Sequence, residues 1–190
     1  MPSLRPAPEP APPYEGEGPH ALWHVSEDTA IRVFRPHRAA TATTDEELVW
    51  AVDTRHLPLF WFPRDCPRCM FWAGPQTTAD DVERFLHERR RRVHVVEAGW
   101  LERMASARVV AYRLPEDTFE PHPQVGGYWV SRSEVTPVER VELADLRARH
   151  AAAGIELRIL PDLWPLWDRV TASTLEFSGL RLANAEPPAG

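Results

Sequence analysis

What most constrains this chain is the length of its apolar runs. They come in strand-sized pieces: ALWHVSE at 21–27, ELVWAVD at 47–53, VHVVEAG at 93–99, ARVVAYRLP at 107–115, GGYWVSR at 126–132, IELRILP at 155–161 and LEFSGLRL at 175–182. These pieces are rich in β-branched and aromatic residues, which suit a pleated, half-buried surface. Helical spacing appears in TTADDVERFLHERRRR at 77–92, GWLERMA at 99–105, VELADLRARHAAAG at 141–154 and DLWPLWDRVTAST at 162–174. The two kinds of segment do not alternate as steady strand–helix–strand units. The pattern therefore predicts an α+β fold and not a doubly wound parallel sheet.

Local signals sharpen several of these segments. Ser26 reads as an N-cap for one short turn, and LPLFWF at 57–62 is either further sheet or the start of a helix. In 77–92, Thr78 is the cap, Asp80 and Asp81 fill the first turn, and Arg89 to Arg92 read as the helix C-terminus that the macrodipole favours. Gly154 is placed past the end of the 141–154 helix, Asp162 caps the next one, and Gly179 marks a bulge in the last strand.

A chain of 190 residues, 43% hydrophobic, can bury one sizeable core. We expect a single α+β domain over 19–184. It would be preceded by a disordered Pro-rich tail at 1–18 and followed by a loose C-terminal end at 185–190. The formal net charge of −6 and the lack of a long Lys/Arg stripe argue against general nucleic-acid binding. No apolar run reaches the ~20 residues of a membrane span, and the N-terminus lacks the basic-then-apolar order of a secretory signal, so no membrane association and a cytoplasmic location are expected.

Several familiar catalytic motifs are missing, among them the Gly-rich dinucleotide and phosphate loops, Gly-x-Ser-x-Gly and His-Glu-x-x-His. Cys66 and Cys69 form a lone Cys-x-x-Cys without a second pair of soft ligands. We expect two ordinary thiols and no metal. What remains is a polar set at strand ends: His24, Ser26, Asp53, His56, Arg64, Asp65, Arg68, Tyr112, Tyr128 and Arg132. Arg64 and Arg68 lie in HLPLFWFPRDCPRCMFW at 56–72, between Phe60–Trp61–Phe62 and Phe71–Trp72.

The runs LWHVSEDTAIRVFRPH, VWAVDTRHLPLFWFPRDCPR and the stretch from YWVSRSEVTPVERVE to SGLRL resemble an uncharacterised bacterial domain-of-unknown-function family. More distantly, Leu-Trp-His-Val-Ser on a first strand, Val-Trp-Ala-Val-Asp on a second and the late Tyr-Trp-Val-Ser-Arg-Ser-Glu-Val-Thr-Pro-Val resemble the ADP-ribosyltransferase fold. That resemblance implies a curved, largely antiparallel split sheet with flanking helices. It implies a nucleotide-like ligand, NAD, cleaved at the nicotinamide–ribose bond and transferred to an unknown acceptor. By the same resemblance His24 and Ser26 would bind the cofactor with Arg64 and Arg68 on its phosphates, and His24 and Tyr128 would act at the reacting sugar. We further expect Arg64 and Arg68 to share a cleft with His24. The late-strand glutamate of such transferases is replaced here by Gly127 and Tyr128, with Glu134 some residues later. The alternative is a noncatalytic module whose aromatic and arginine cleft binds a ligand or protein partner.

Overall fold

The computed structural model describes residues 21–38, 46–86 and 92–188, and the Pro-rich stretch 1–18 and Arg89 to Arg91 lie outside them. Among the described residues the fold is α+β, with ten strands in two sheets and four α-helices. Two compact units form, and each takes its chain from two separate segments.

One unit holds the described residues up to Trp61 together with Arg108–Leu143. Its strands are β1 (Leu22–Ser26), β2 (Val49–Asp53), β5 (Val109–Leu114), β6 (Glu120–Pro121), β7 (Tyr128–Ser131) and β8 (Glu139–Leu143). They form an antiparallel sheet in the order β6-β7-β2-β1-β5-β8. Side chains alternate across a strand, so the register fixes which residues share a face. Leu22 opposes Asp53 and Leu114, and His24 opposes Tyr112. Leu22, Val49, Ala51, Val110, Tyr112 and Leu114 therefore build the core on one face, closed by Phe34, Phe119 and Val135. The Tyr112 hydroxyl pins the covering segment by donating to Asp28 O at 2.8 Å and accepting from Ile31 N at 3.2 Å.

The other unit runs over Phe62–Ala107 and from Ala144 onward. It contains β3 (Arg68–Trp72), α1 (Ala79–Phe85), β4 (Arg92–Glu97), α2 (Leu101–Ser106), α3 (Leu146–Ala152), β9 (Glu156–Leu160), α4 (Trp164–Thr171) and β10 (Glu176–Leu180). The sheet order is β10-β3-β4-β9, antiparallel except for the parallel pair β4–β9. Cys69 and Phe71 of β3 share a face with Val95 and Val93 of β4, and Phe85, Leu163, Leu166 and Val170 close the core over them. Trp167 packs against this cluster. At the chain end Ala185 packs on the same cluster, and Glu186 N–H donates to the Glu97 carboxylate at 3.1 Å.

Three local expectations change, and one open alternative is resolved. Arg92 is not at a helix end: α1 stops at Phe85, Leu86 is already extended, and Arg92 opens β4 opposite Trp72, its guanidinium 4.8 Å from that ring. The helix expected from 141 begins only at Leu146, because Asp145 takes Ala148 N–H as its cap and Glu139–Leu143 pairs with β5 instead. Gly179 makes no bulge, since it sits in continuous register opposite Cys69. It is small because the Trp167 ring occupies the place of a Cβ. LPLFWF resolves as a 3-10 turn, Leu57–Phe60, with Pro58 in its first positions. Thr78 does cap α1 and accepts from Asp81 N at 3.3 Å, and Gly154 lies past α3 at φ +75°.

Candidate functional site

The best-organised polar group of the six-stranded unit is at the end of β2. Asp53 closes the strand, and the chain turns at once so that His56 N–H and His56 Nδ1 both donate to Asp53 Oδ1, at 2.9 and 2.7 Å. A carboxylate only accepts, so Nδ1 carries the hydrogen and Nε2 is the basic nitrogen of the neutral ring. Burial on its own would raise the Asp53 carboxyl. The hydrogen bonds from His56, and its charge when the ring is protonated, outweigh it and hold Asp53 below the usual aspartate value. The pair is partly shielded, with side chains 15% exposed for His56 and 28% for Asp53. Gly127 makes the arrangement possible. Its carbonyl accepts Asp53 N–H at 3.0 Å, its φ is +78°, and the His56 ring occupies the space of its absent Cβ.

The register places the other expected residues. His24 and Ser26 alternate with Leu22 and so share the face of Asp53. His24 Nδ1 donates to Trp50 O at 2.8 Å, which fixes its tautomer, and its ring lies 4.8 Å from that of Phe34. Ser26 Oγ accepts Asp28 N–H at 3.1 Å, a local turn contact. Tyr128 opposes Val52 and therefore stands on the opposite face, together with Trp50. There Trp50 lies 5.0 Å from the His122 ring at 32°, and Tyr128 sits edge-on to Trp50 and to Phe60. His24 and Tyr128 are thus not brought to one face. Glu134 is exposed and paired with Arg35 at 2.8 Å.

Arg64 and Arg68 belong to the four-stranded unit. Arg64 is exposed, as is Asp65. Arg68 is 4% exposed; its guanidinium donates to Cys66 O at 2.8 Å and lies 4.9 Å from the Phe62 ring. The charge in the aromatic stretch is thus accommodated by a carbonyl and a π face. Cys66 and Cys69 are free and buried, and burial pushes both thiols up to about 12. A thiol so reluctant to ionise is a poor nucleophile and a poor metal ligand. Among the described residues no group of three or more His, Cys, Asp or Glu could hold a metal ion, and no helix is long and apolar enough to cross a membrane.

Sequence reasoning missed one group altogether. His94 on β4 and His150 on α3 are both fully buried, with His94 Nδ1 and His150 Nε2 3.0 Å apart and the Phe62 ring against both. Neither histidine stands in a motif, and the two are far apart in sequence, so only the parallel crossover to β9 brings them together. By contrast Asp53 and His56 were in the polar set, and their spacing at i, i+3 after a strand is the signal that could have paired them.

No curated protein and no solved structure matches the chain. One family model does, over residues 23–185, which takes in nearly all of both units. The chain belongs to DUF6886, a family of unknown function.

Proposed function

We propose that the six-stranded unit is an acid–base site for a nucleotide-like ligand, with NAD as the leading substrate. The observation that carries this reading is the Asp53–His56 hydrogen bond of 2.7 Å, which orients a basic imidazole nitrogen at the end of a strand. Asp53 holds the ring and its tautomer, as a carboxylate does for any histidine base. In the transfer, the C–N bond between ribose and nicotinamide breaks and its electron pair leaves with nicotinamide. An acceptor hydroxyl or water attacks the ribose carbon and gives its proton to His56 Nε2. His24, on the same face as Asp53 and oriented by Trp50 O, is suited to accept from a ribose hydroxyl. The ADP-ribosyltransferase-like resemblance supplies the ligand class, and that fold remains part of the proposal.

The test is release of nicotinamide from NAD by the full chain, followed chromatographically, beside a thermal-shift screen with NAD, ADP-ribose and nucleoside phosphates at about 1 mM, the upper end of ordinary KM values. Turnover that falls at least a hundredfold in His56→Gln and Asp53→Asn supports the reading, since general-base catalysis contributes about 10²–10⁴. Absence of both turnover and a shift in the wild type refutes it.

A second reading is favoured by the opposite face. The Trp50, His122, Tyr128 and Phe60 rings form a continuous aromatic set, which suits a noncatalytic module that stacks a planar ligand. Binding without turnover, lost in Trp50→Ala and retained in His56→Gln, would select it.

A further inference from the structure

The four-stranded unit contains a buried hydrogen-bonded chain whose proton positions follow from its partners. His150 Nδ1 lies 2.6 Å from Leu146 O, an acceptor only, so His150 Nδ1 carries a hydrogen. Nε2 of the neutral His150 ring is then a lone pair. It accepts from His94 Nδ1–H at 3.0 Å, and His94 Nε2 is left as a buried lone pair with no hydrogen-bond partner among the described residues. The chain thus runs from β4 to α3 and ends on the backbone of α3, and it is complete only while His150 Nε2 is unprotonated.

Among the described residues, the neighbouring charges that lower the two imidazoles are positive. Arg68 of β3 acts on both rings, Arg92 of β4 on His94, and Arg149 of α3 on His150. Phe62 packs on the rings without contributing a counter-charge. On β4 the register puts Arg92 and His94 on one face, with Arg68, Met70 and Trp72 beside them on β3, while the acidic Glu97 falls on the other. The site therefore resists added protons by burial and by cationic neighbours together.

We propose that the His94–His150 hydrogen bond is an acid-released latch between β4 and α3. A proton taken from solvent by His150 Nε2 turns the acceptor into a donor, sets two N–H groups against each other, and frees α3 from the sheet. Burial and the same cations hold the His94 imidazole well below its ordinary value, so it too stays neutral while the unit is closed, and the bond itself is broken only by a proton on His150. Burial holds the His150 imidazole down to about 4, against an ordinary 6.5. A base depressed in the closed state contributes stability that is complete above the open-state value and is lost as pH falls towards the closed-state value. The window is therefore pH 6.5 down to about 4, and at pH 5 the opening equilibrium rises about thirtyfold over pH 7.5 for one such group.

Native-state hydrogen exchange on the full chain, corrected for the intrinsic pH dependence of exchange, reads this directly. Protection of the α3 amides should fall at least thirtyfold between pH 7.5 and 5, and the fall should be about thirtyfold smaller in His150→Gln, which keeps His94 and whose amide oxygen can still accept from His94 Nδ1. Should His150→Gln fail to fold, the wild-type imidazole resonances serve instead: the His150 titration and the loss of α3 protection must follow the same pH curve. Protection that changes less than threefold in the wild type, an equal fall in His150→Gln, or a His150 titration uncoupled from α3 overturns the proposal.

Discussion

Gly127→Ala is the substitution whose cost the structure specifies most fully. The backbone at Gly127 has φ +78°, in the left-handed region, where an L-residue costs about 1–2 kcal/mol. An added methyl would also enter the His56 ring, so the ring must rotate away and give up its bond to Asp53. A hydrogen bond to a charged group is worth about 1.5–3 kcal/mol, and the lower end applies because both side chains keep some exposure to water. The total is about 3 kcal/mol, read as a shift in the urea midpoint at unchanged slope. A double-mutant cycle with His56→Ala separates the parts. With the ring gone, only the backbone cost of about 1–2 kcal/mol should remain, which leaves a coupling of about 1.5 kcal/mol, the hydrogen-bond part. A Gly127→Ala protein within about 0.5 kcal/mol of wild type, or one equally destabilised with and without the His56 ring, would show that Gly127 does not shape the Asp53–His56 pair.

Three further outcomes follow from other contacts. Because Asp53 is held below its ordinary value in the folded chain, its contribution is present above the unfolded aspartate pKa and vanishes as pH falls through the folded one; Asp53→Asn should flatten the stability–pH profile below about pH 4, measured by urea titration. Neither Cys66 nor Cys69 should react with a chromogenic disulfide at pH 8 in the native protein, and both should react in denaturant; rapid native labelling would contradict the burial that raises them. Tyr112→Phe should cost about 1–2 kcal/mol in thermal or chemical denaturation, since it strands Asp28 O and Ile31 N in the covering segment.

How far the sequence revealed this molecule depended on whether a signal was local. Strand-length runs such as 47–53 and 107–115 became β2 and β5, because β-branched density and alternation act within a few residues. The Thr78 cap and the Gly154 terminus were legible for the same reason. Arg92 is not told apart from its neighbours by sequence because four consecutive arginines look alike, while the ladder opposite Trp72 that claims the last of them is a tertiary fact. Gly179 suggests a bulge by sequence because a glycine inside a strand has several causes, and the ring of Trp167 is not visible from its neighbours. In the candidate site, the strand-end position of Asp53 was apparent. The separation of His24 and Tyr128 onto opposite faces depended on pairing register, which no single strand encodes.

The interleaving of the two units carries a consequence for how the chain acquires its structure. Strands β3 and β4 leave the ribosome well before β9 and β10, and the strands β5 to β8 of the other sheet come in between. The β1–β5 ladder likewise joins Leu22 to Leu114. Such distant pairings require large loops to close before any contact rewards the closure, which places folding towards the slow end for its size. During synthesis β4 emerges with the hydrophobic Val93 and Val95 ready and its parallel partner still untranslated. The nascent chain must therefore hold a bare strand edge until β9 and β10 arrive, which makes this interval the one most exposed to misassociation and to chaperone capture.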